Sequence, residues 1–193
     1  MKRYVIVAGV NGVGKSTLYQ SNDYLKNMPR INVDEIVRDI GNWQNTKDVF
    51  KAGKIAVKKI ESYFDKGITF NHETTLCGKS IIKNISKAKE LGYFIELHYI
   101  GVETVTIVKE RVKHRVEQGG HGIPERDIER RYIETFQQLN SILKECNLIA
   151  FYDNTKEFRR FAICKNGTLV RVSQNIPNWF SKVTLPLTTR CIF

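Results

Sequence analysis

The sequence predicts an α/β fold: a three-layer α/β/α arrangement around a mostly parallel central sheet, with a C-terminal β-hairpin. Three observations predict it. An apolar run, Tyr4 to Ala8, leads straight into a glycine-rich turn and then into a helix-forming stretch. Short apolar runs alternate with helix-period segments as far as Tyr152, which is the pattern of strands joined by crossover helices. The length of 193 residues is enough for one such domain with a full core and too short for two, so 1–193 reads as a single domain.

The turn after the first strand organises the rest. Gly9-Val10-Asn11-Gly12-Val13-Gly14-Lys15-Ser16-Thr17 satisfies G-x-x-x-x-G-K-[ST] in the strand–turn–helix context that the motif requires. A triphosphate needs many hydrogen-bond donors and no bulky side chains nearby. Gly9, Gly12 and Gly14 let the backbone curl with its N–H groups inward, and the helix that opens near Lys15 adds its positive end. The expected ATP-binding set is Gly9, Asn11, Gly12, Val13, Gly14, Lys15, Ser16 and Thr17. Lys15 is placed to reach the β- and γ-phosphates and the Ser16 hydroxyl to ligate Mg²⁺.

The bulk properties bound the partners. The net charge of +11 suits anionic ligands, and its lysines and arginines are spread along the chain rather than gathered in a tail. Small anionic substrates therefore rank above nucleic acid. No apolar run has the length of a membrane span, so no membrane is expected. Cys77, Cys146, Cys164 and Cys191 stand far apart without a C-x-x-C pair, which argues against zinc. Met1-Lys2-Arg3 before an apolar run has a faint signal-peptide look, but the glycine turn and Lys15 cut it short. A cytoplasmic protein with free thiols is expected.

In chain order, 17–26 reads as a helix ended by Pro29, and 30–33 as a short strand delivering Asp34. In open parallel sheets, ligands bind at the C-terminal strand ends. Asp34 is thus a candidate catalytic base or metal-linked carboxylate, or else the N-cap of a helix over 35–39. Residues 46–66 read as a long helix, with Val49, Ala56, Ile60 and Phe64 near helical spacing and Val57 beside them. Gly67 closes it, and a strand at 68–70 delivers Asn71 to Thr75 to the same sheet edge. Glu73 and Thr75, two apart, share a face of extended chain and suit holding a substrate hydroxyl. A helix over 79–91 and a strand over 93–100 follow. A basic helix over 102–116, a glycine-rich loop over 117–124 and an amphipathic helix over 125–145 then make a candidate lid at about 111–131. Arg111, Arg115, Arg126, Arg130 and Arg131 lie there, and two of the five are expected to face the triphosphate. After a strand at 148–152, Asn166-Gly167 between apolar runs marks a hairpin, an appendage at about 158–180 in which Pro177 to Phe180 folds back as an apolar anchor. The remainder carries no readable pattern.

Several of these stretches together resemble the zeta toxin family of P-loop kinases, in its compact stand-alone bacterial members. They are Ala8 to Thr17, Asn32-Val33-Asp34, Glu73-Thr74-Thr75-Leu76-Cys77-Gly78, Arg115 to Glu125 and Tyr152-Asp153-Asn154, in the family's order. The resemblance implies ATP- and Mg²⁺-dependent phosphorylation of an amino-sugar hydroxyl of UDP-N-acetylglucosamine. It implies that Lys15 and Ser16 hold phosphate and metal, that Asp34 is the base, that Glu73 and Thr75 hold the acceptor, and that Arg115 is a lid arginine. The family's second lid arginine falls near His121. Arg126 or Arg130 takes its place, so Arg126 joins the catalytic set and His121 and Arg130 the substrate side. An antitoxin protein is the implied partner. Two other readings stand beside this one: a kinase of the same fold with another small acceptor, and a nucleic-acid-binding, nucleotide-dependent switch.

Overall fold

The computed structural model describes residues 1–185, so Cys191 lies outside the described residues. The core strand is β1 (Arg3–Ala8), buried along almost its whole length. Such a run can only sit in the middle of a sheet covered on both faces. It pairs in parallel with β3 (Phe70–Thr74) on one side and β4 (Phe94–Gly101) on the other. The short β2 (Arg30–Ile31) lies outside β3, and β5 (Leu148–Asp153) continues the parallel sheet beyond β4. β6 (Arg159–Lys165) and β7 (Thr168–Val172) add on antiparallel, giving the order β2-β3-β1-β4-β5-β6-β7. The hairpin expected as an appendage is therefore an extension of the central sheet. Its turn is the Asn-Gly pair, with both φ values positive (46° and 77°).

Helices cover both faces. On the face of Tyr4 and Tyr99, α4 (Thr46–Asp65) brings Phe64 to 5.3 Å from the Tyr4 ring, and α7 (Glu125–Ile142) brings Phe136 to 6.0 Å from Tyr99. On the opposite face Tyr24 of α2 (Asp23–Lys26) donates its hydroxyl to Glu96. Trp179, in a short 3-10 segment (Asn178–Lys182), closes the end of the sheet. Its indole donates to Asp153 Oδ1 at 2.9 Å, and the Glu103 carboxylate accepts from its backbone N–H. The expected apolar anchor is thus packed into the core, with Trp179 1% exposed.

Some element boundaries differ from expectation for identifiable reasons. The helix expected over 17–26 is split into α1 (Lys15–Gln20) and α2, because the Asn22 side chain caps a new start by accepting from the Leu25 N–H. The strand expected to stop at Phe70 runs on to Thr74, so Asn71, His72 and Glu73 belong to the sheet. The buried row of α4 is Ala52, Ala56, Ile60 and Phe64, whereas Val49 and Val57 are exposed. Val49 is in phase with that row, three residues before Ala52, but it stands in the first turn of α4, ahead of the first buried position, and Val57 falls at the edge of the row. The remaining helices are α3 (Val33–Ile40), α5 (Ser80–Glu90) and α6 (Val105–Glu117). Among the described residues no helix is long and apolar enough to cross a membrane. There Cys77, Cys146 and Cys164 are free thiols, and burial pushes the Cys146 thiol up to about 12 and the Cys164 thiol up to about 11.

Candidate functional site

The C-terminal ends of β1, β2 and β3 open onto a cleft of about 560 Å³, walled by α3, the α3–α4 connection, α6 and the glycine loop that follows α6. The phosphate loop forms its floor. Gly14 sits just before α1 with φ 103°, and a Cβ there would stand 2.5 Å from Asn154 Nδ2. That close approach has a purpose: Asn154 Nδ2 donates to Val13 O at 2.8 Å, and its backbone N–H donates to Gly101 O. Arg111 in turn donates to Asn154 O at 2.8 Å. The end of β5 is thereby clamped onto the loop. Lys15 is 8% exposed, and its ammonium donates to Gly9 O at 2.8 Å and Val10 O at 3.0 Å, with Glu73 Oε1 4.0 Å away. Burial draws the Lys15 pKa down, Glu73 and Asp34 oppose that shift, and Arg115 and Arg131 reinforce it. Ser16 is exposed and lines the cleft along with Asn11, Gly12 and Gly14. Gly9, Val13 and Thr17 belong to the loop without lining the cleft.

The opposite wall carries the carboxylates. Asn32, not Asp34, caps α3: its side chain accepts from the Asp34 N–H at 2.9 Å. Asp34 therefore stands in the first turn of α3 with its own carboxylate free of capping duty, and it lines the cleft. Glu73, at the end of β3, lines it too. Thr75 does not. The chain turns at Leu76, whose φ is 60°, and the Thr75 carbonyl accepts from the Cys77 thiol. The expectation of Glu73 and Thr75 side by side on extended chain is corrected accordingly, because the strand ends between them.

The arginines separate cleanly. Arg115, on α6, lines the cleft, and its buried Nε and Nη2 atoms have no hydrogen-bond partner, nor does Arg111 Nη1. Buried donors without partners are rare in folded proteins and point to a ligand position. Arg126 and Arg130 lie on the outer face of α7, away from the cleft. Arg130 is occupied by Glu134 at 2.8 Å and Asp127 at 3.2 Å, while Arg126 is exposed. Arg131, one residue and about 100° further round the helix, reaches the phosphate loop and donates to Asn11 Oδ1 at 2.9 Å. His121 lines the cleft from the loop after α6, its ring 4.8 Å from that of Trp43. Burial lowers the His121 pKa, with Asp34 opposing and Arg115 and Arg131 adding to the shift. Sequence reasoning missed Trp43 and the bracing role of Asn154. A lone tryptophan in the polar stretch Gly41 to Asn45, between two helices, was the available signal for Trp43.

The donor set fits a nucleotide and a hard cation. Lys15, Arg111 and Arg115 line the cleft as cations, the arginines with buried nitrogens that have no partner, and the Ser16 hydroxyl and Asp34 carboxylate supply oxygen donors of the kind Mg²⁺ takes. Among the described residues no group of three or more His, Cys, Asp or Glu side chains could hold a metal.

No family model matches the chain. An uncharacterized protein of Haemophilus influenzae is 38% identical over 130 residues, which cover 66% of this chain and 91% of that one. Among solved structures, the AvrRxo1-ORF1:AvrRxo1-ORF2 complex with sulphate ions is similar with a TM-score of 0.70 at 14% identity, over 98% of this chain and 66% of that one. The same complex has been solved with ATP. The PezAT chromosomal toxin-antitoxin system of Streptococcus pneumoniae is similar with a TM-score of 0.59 at 18% identity, over 82% of this chain and 69% of that one. At these identities the solved structures show a shared fold.

Proposed function

We propose that this chain, which belongs to the family of the Haemophilus influenzae protein, has the fold of zeta-toxin-like P-loop kinases and is an ATP-dependent phosphotransferase acting on a hydroxyl of a small acceptor. The acceptor of first choice is a UDP-N-acetyl amino sugar. One observation carries the reading: Arg115, whose buried Nε and Nη2 have no partner, lines the same cleft as Lys15 and its glycine loop, together with Asp34 and Glu73.

In this reading the loop backbone and Lys15 hold the β- and γ-phosphates. Ser16, with Asp34 nearby, holds Mg²⁺, which when bound neutralises phosphate charge. Glu73 accepts a hydrogen bond from the acceptor and so orients it. Asp34 takes the proton of the reacting hydroxyl as its oxygen bonds to the γ-phosphorus and the bond from that phosphorus to the β–γ bridging oxygen breaks. ADP and a phosphorylated acceptor result. Arg115 and Arg131 balance the charge that spreads over the transferring oxygens, since planar guanidinium groups can bridge two of them. Trp43 offers an apolar face at the mouth of the cleft for the sugar or base. The single domain with a lid at about 111–131, and an antitoxin as partner, belong to the same reading.

The first test is equilibrium binding of ATP. Wild-type protein should bind it, and Lys15→Ala should bind it at least about tenfold more weakly with an unchanged circular-dichroism spectrum. Equal affinity in the two proteins would remove Lys15 from the phosphate site.

A further inference from the structure

Arg30 stands outside every motif used so far, at the first position of the edge strand β2. Its guanidinium lies over the Tyr19 ring, 3.8 Å from the centroid. One arm, Nη1, donates to Glu35 Oε1, and the other, Nη2, donates to Glu73 Oε2. Arg30 and Glu73 are buried together, with side chains 11% and 10% exposed. The remaining Glu73 oxygen, Oε1, faces the Lys15 ammonium at 4.0 Å. One carboxylate thus sits between two buried cations, paired with one of them and short of hydrogen-bond distance from the other.

The geometry points to Arg30 as a positioning residue that holds Glu73 back from Lys15. This rests on the reading of the cleft as a phosphotransferase site. A buried carboxylate without a partner is costly, so a Glu73 released by Arg30 moves to the nearest cation. That cation is Lys15. The resulting pair spends the charge of the ammonium that must meet the phosphates, and it withdraws Oε1 from the acceptor. Arg30 therefore keeps two groups available at once, through a planar fork stacked on an aromatic ring that lysine cannot reproduce.

Second-site rescue tests this. ATP binding is measured for wild type, Arg30→Met, Glu73→Gln and the double variant, with melting temperatures recorded alongside. Arg30→Met should bind ATP about tenfold or more weakly. The double variant should return to within about threefold of Glu73→Gln, because a neutral glutamine cannot neutralise Lys15. A purely structural role for Arg30 predicts no rescue. Unchanged affinity in Arg30→Met, or a double variant as weak as Arg30→Met, overturns the proposal. If wild-type protein binds no ATP, the phosphotransferase reading fails on its own, and a crystal structure of Arg30→Met decides the positioning role. Glu73 closing to hydrogen-bond distance from Lys15 supports it, and Glu73 staying in place overturns it.

Discussion

Asp34 and Lys15 line the same cleft, and the proposed reaction gives them separable duties, which makes them the sharpest probes of single residues. The Asp34 N–H is satisfied by Asn32, so the Asp34 carboxylate does not cap α3. Asp34→Asn should therefore leave the melting temperature and ATP affinity close to wild type while lowering acceptor phosphorylation by about 10²–10⁴-fold. Single-turnover transfer measured beside ATP binding checks this, and retained transfer would make Asp34 a bystander. Lys15 was legible in the sequence because its spacing from the glycines is set by the loop. The Asp34 side chain was only half legible, since a neighbouring asparagine decides whether it caps the helix. Arg30 was not legible at all: its partners Glu35, Tyr19 and Glu73 come from three other elements, and no local pattern joins them.

At the scale of elements, α7 shows how far periodicity carries. Its amphipathic row, from Ile128 through Tyr132, Phe136 and Leu139, is buried as the spacing predicts. The orientation of its arginines is not, because the apolar row fixes the core face and leaves open which flank meets the phosphate loop. Arg131 is on that flank and Arg130 is on the other, paired with Glu134. Arg131→Met should lower phosphoryl transfer by at least about tenfold, and Arg126→Met should change it less than about twofold. Initial rates of the two variants under saturating ATP separate them. The reverse order would place the outer face of α7 over the phosphates. The segment expected as a lid is two helices joined by a glycine loop, and its contact with Trp43 depends on a connection more than seventy residues earlier in the chain.

For the whole molecule, a mostly parallel sheet with covering helices follows from the alternation of apolar runs and helices, whereas the strand order and the placement of the hairpin within the sheet depend on long-range pairing that no local signal carries. The buried polar groups set how the fold responds to acid. His72 is buried beside the Tyr4 hydroxyl at 2.8 Å, and burial lowers its pKa to about 4. The unfolded chain holds His72 near 6.5, so the unfolded state binds the proton first. The stability that neutral His72 supports is present above pH 6.5 and is lost as pH falls toward 4. The loss from this group should be about 2 kcal/mol between pH 7 and pH 5, reaching about 3 kcal/mol by pH 4. Urea denaturation at these pH values should show it in the wild type and a flatter dependence in His72→Gln. Equal slopes would mean that His72 is protonated in the fold.

The measurement that bears most directly on the whole account is phosphoryl transfer itself. Protein, ATP and Mg²⁺ are incubated with a panel of hydroxyl acceptors led by UDP-N-acetylglucosamine, and products are read by mass spectrometry for wild type and Asp34→Asn. The account predicts a phosphorylated sugar nucleotide from the wild type and at least about a hundredfold less from the variant. Phosphate incorporated equally by both proteins, or none on any acceptor together with nucleic-acid binding that falls steeply with salt, would contradict it.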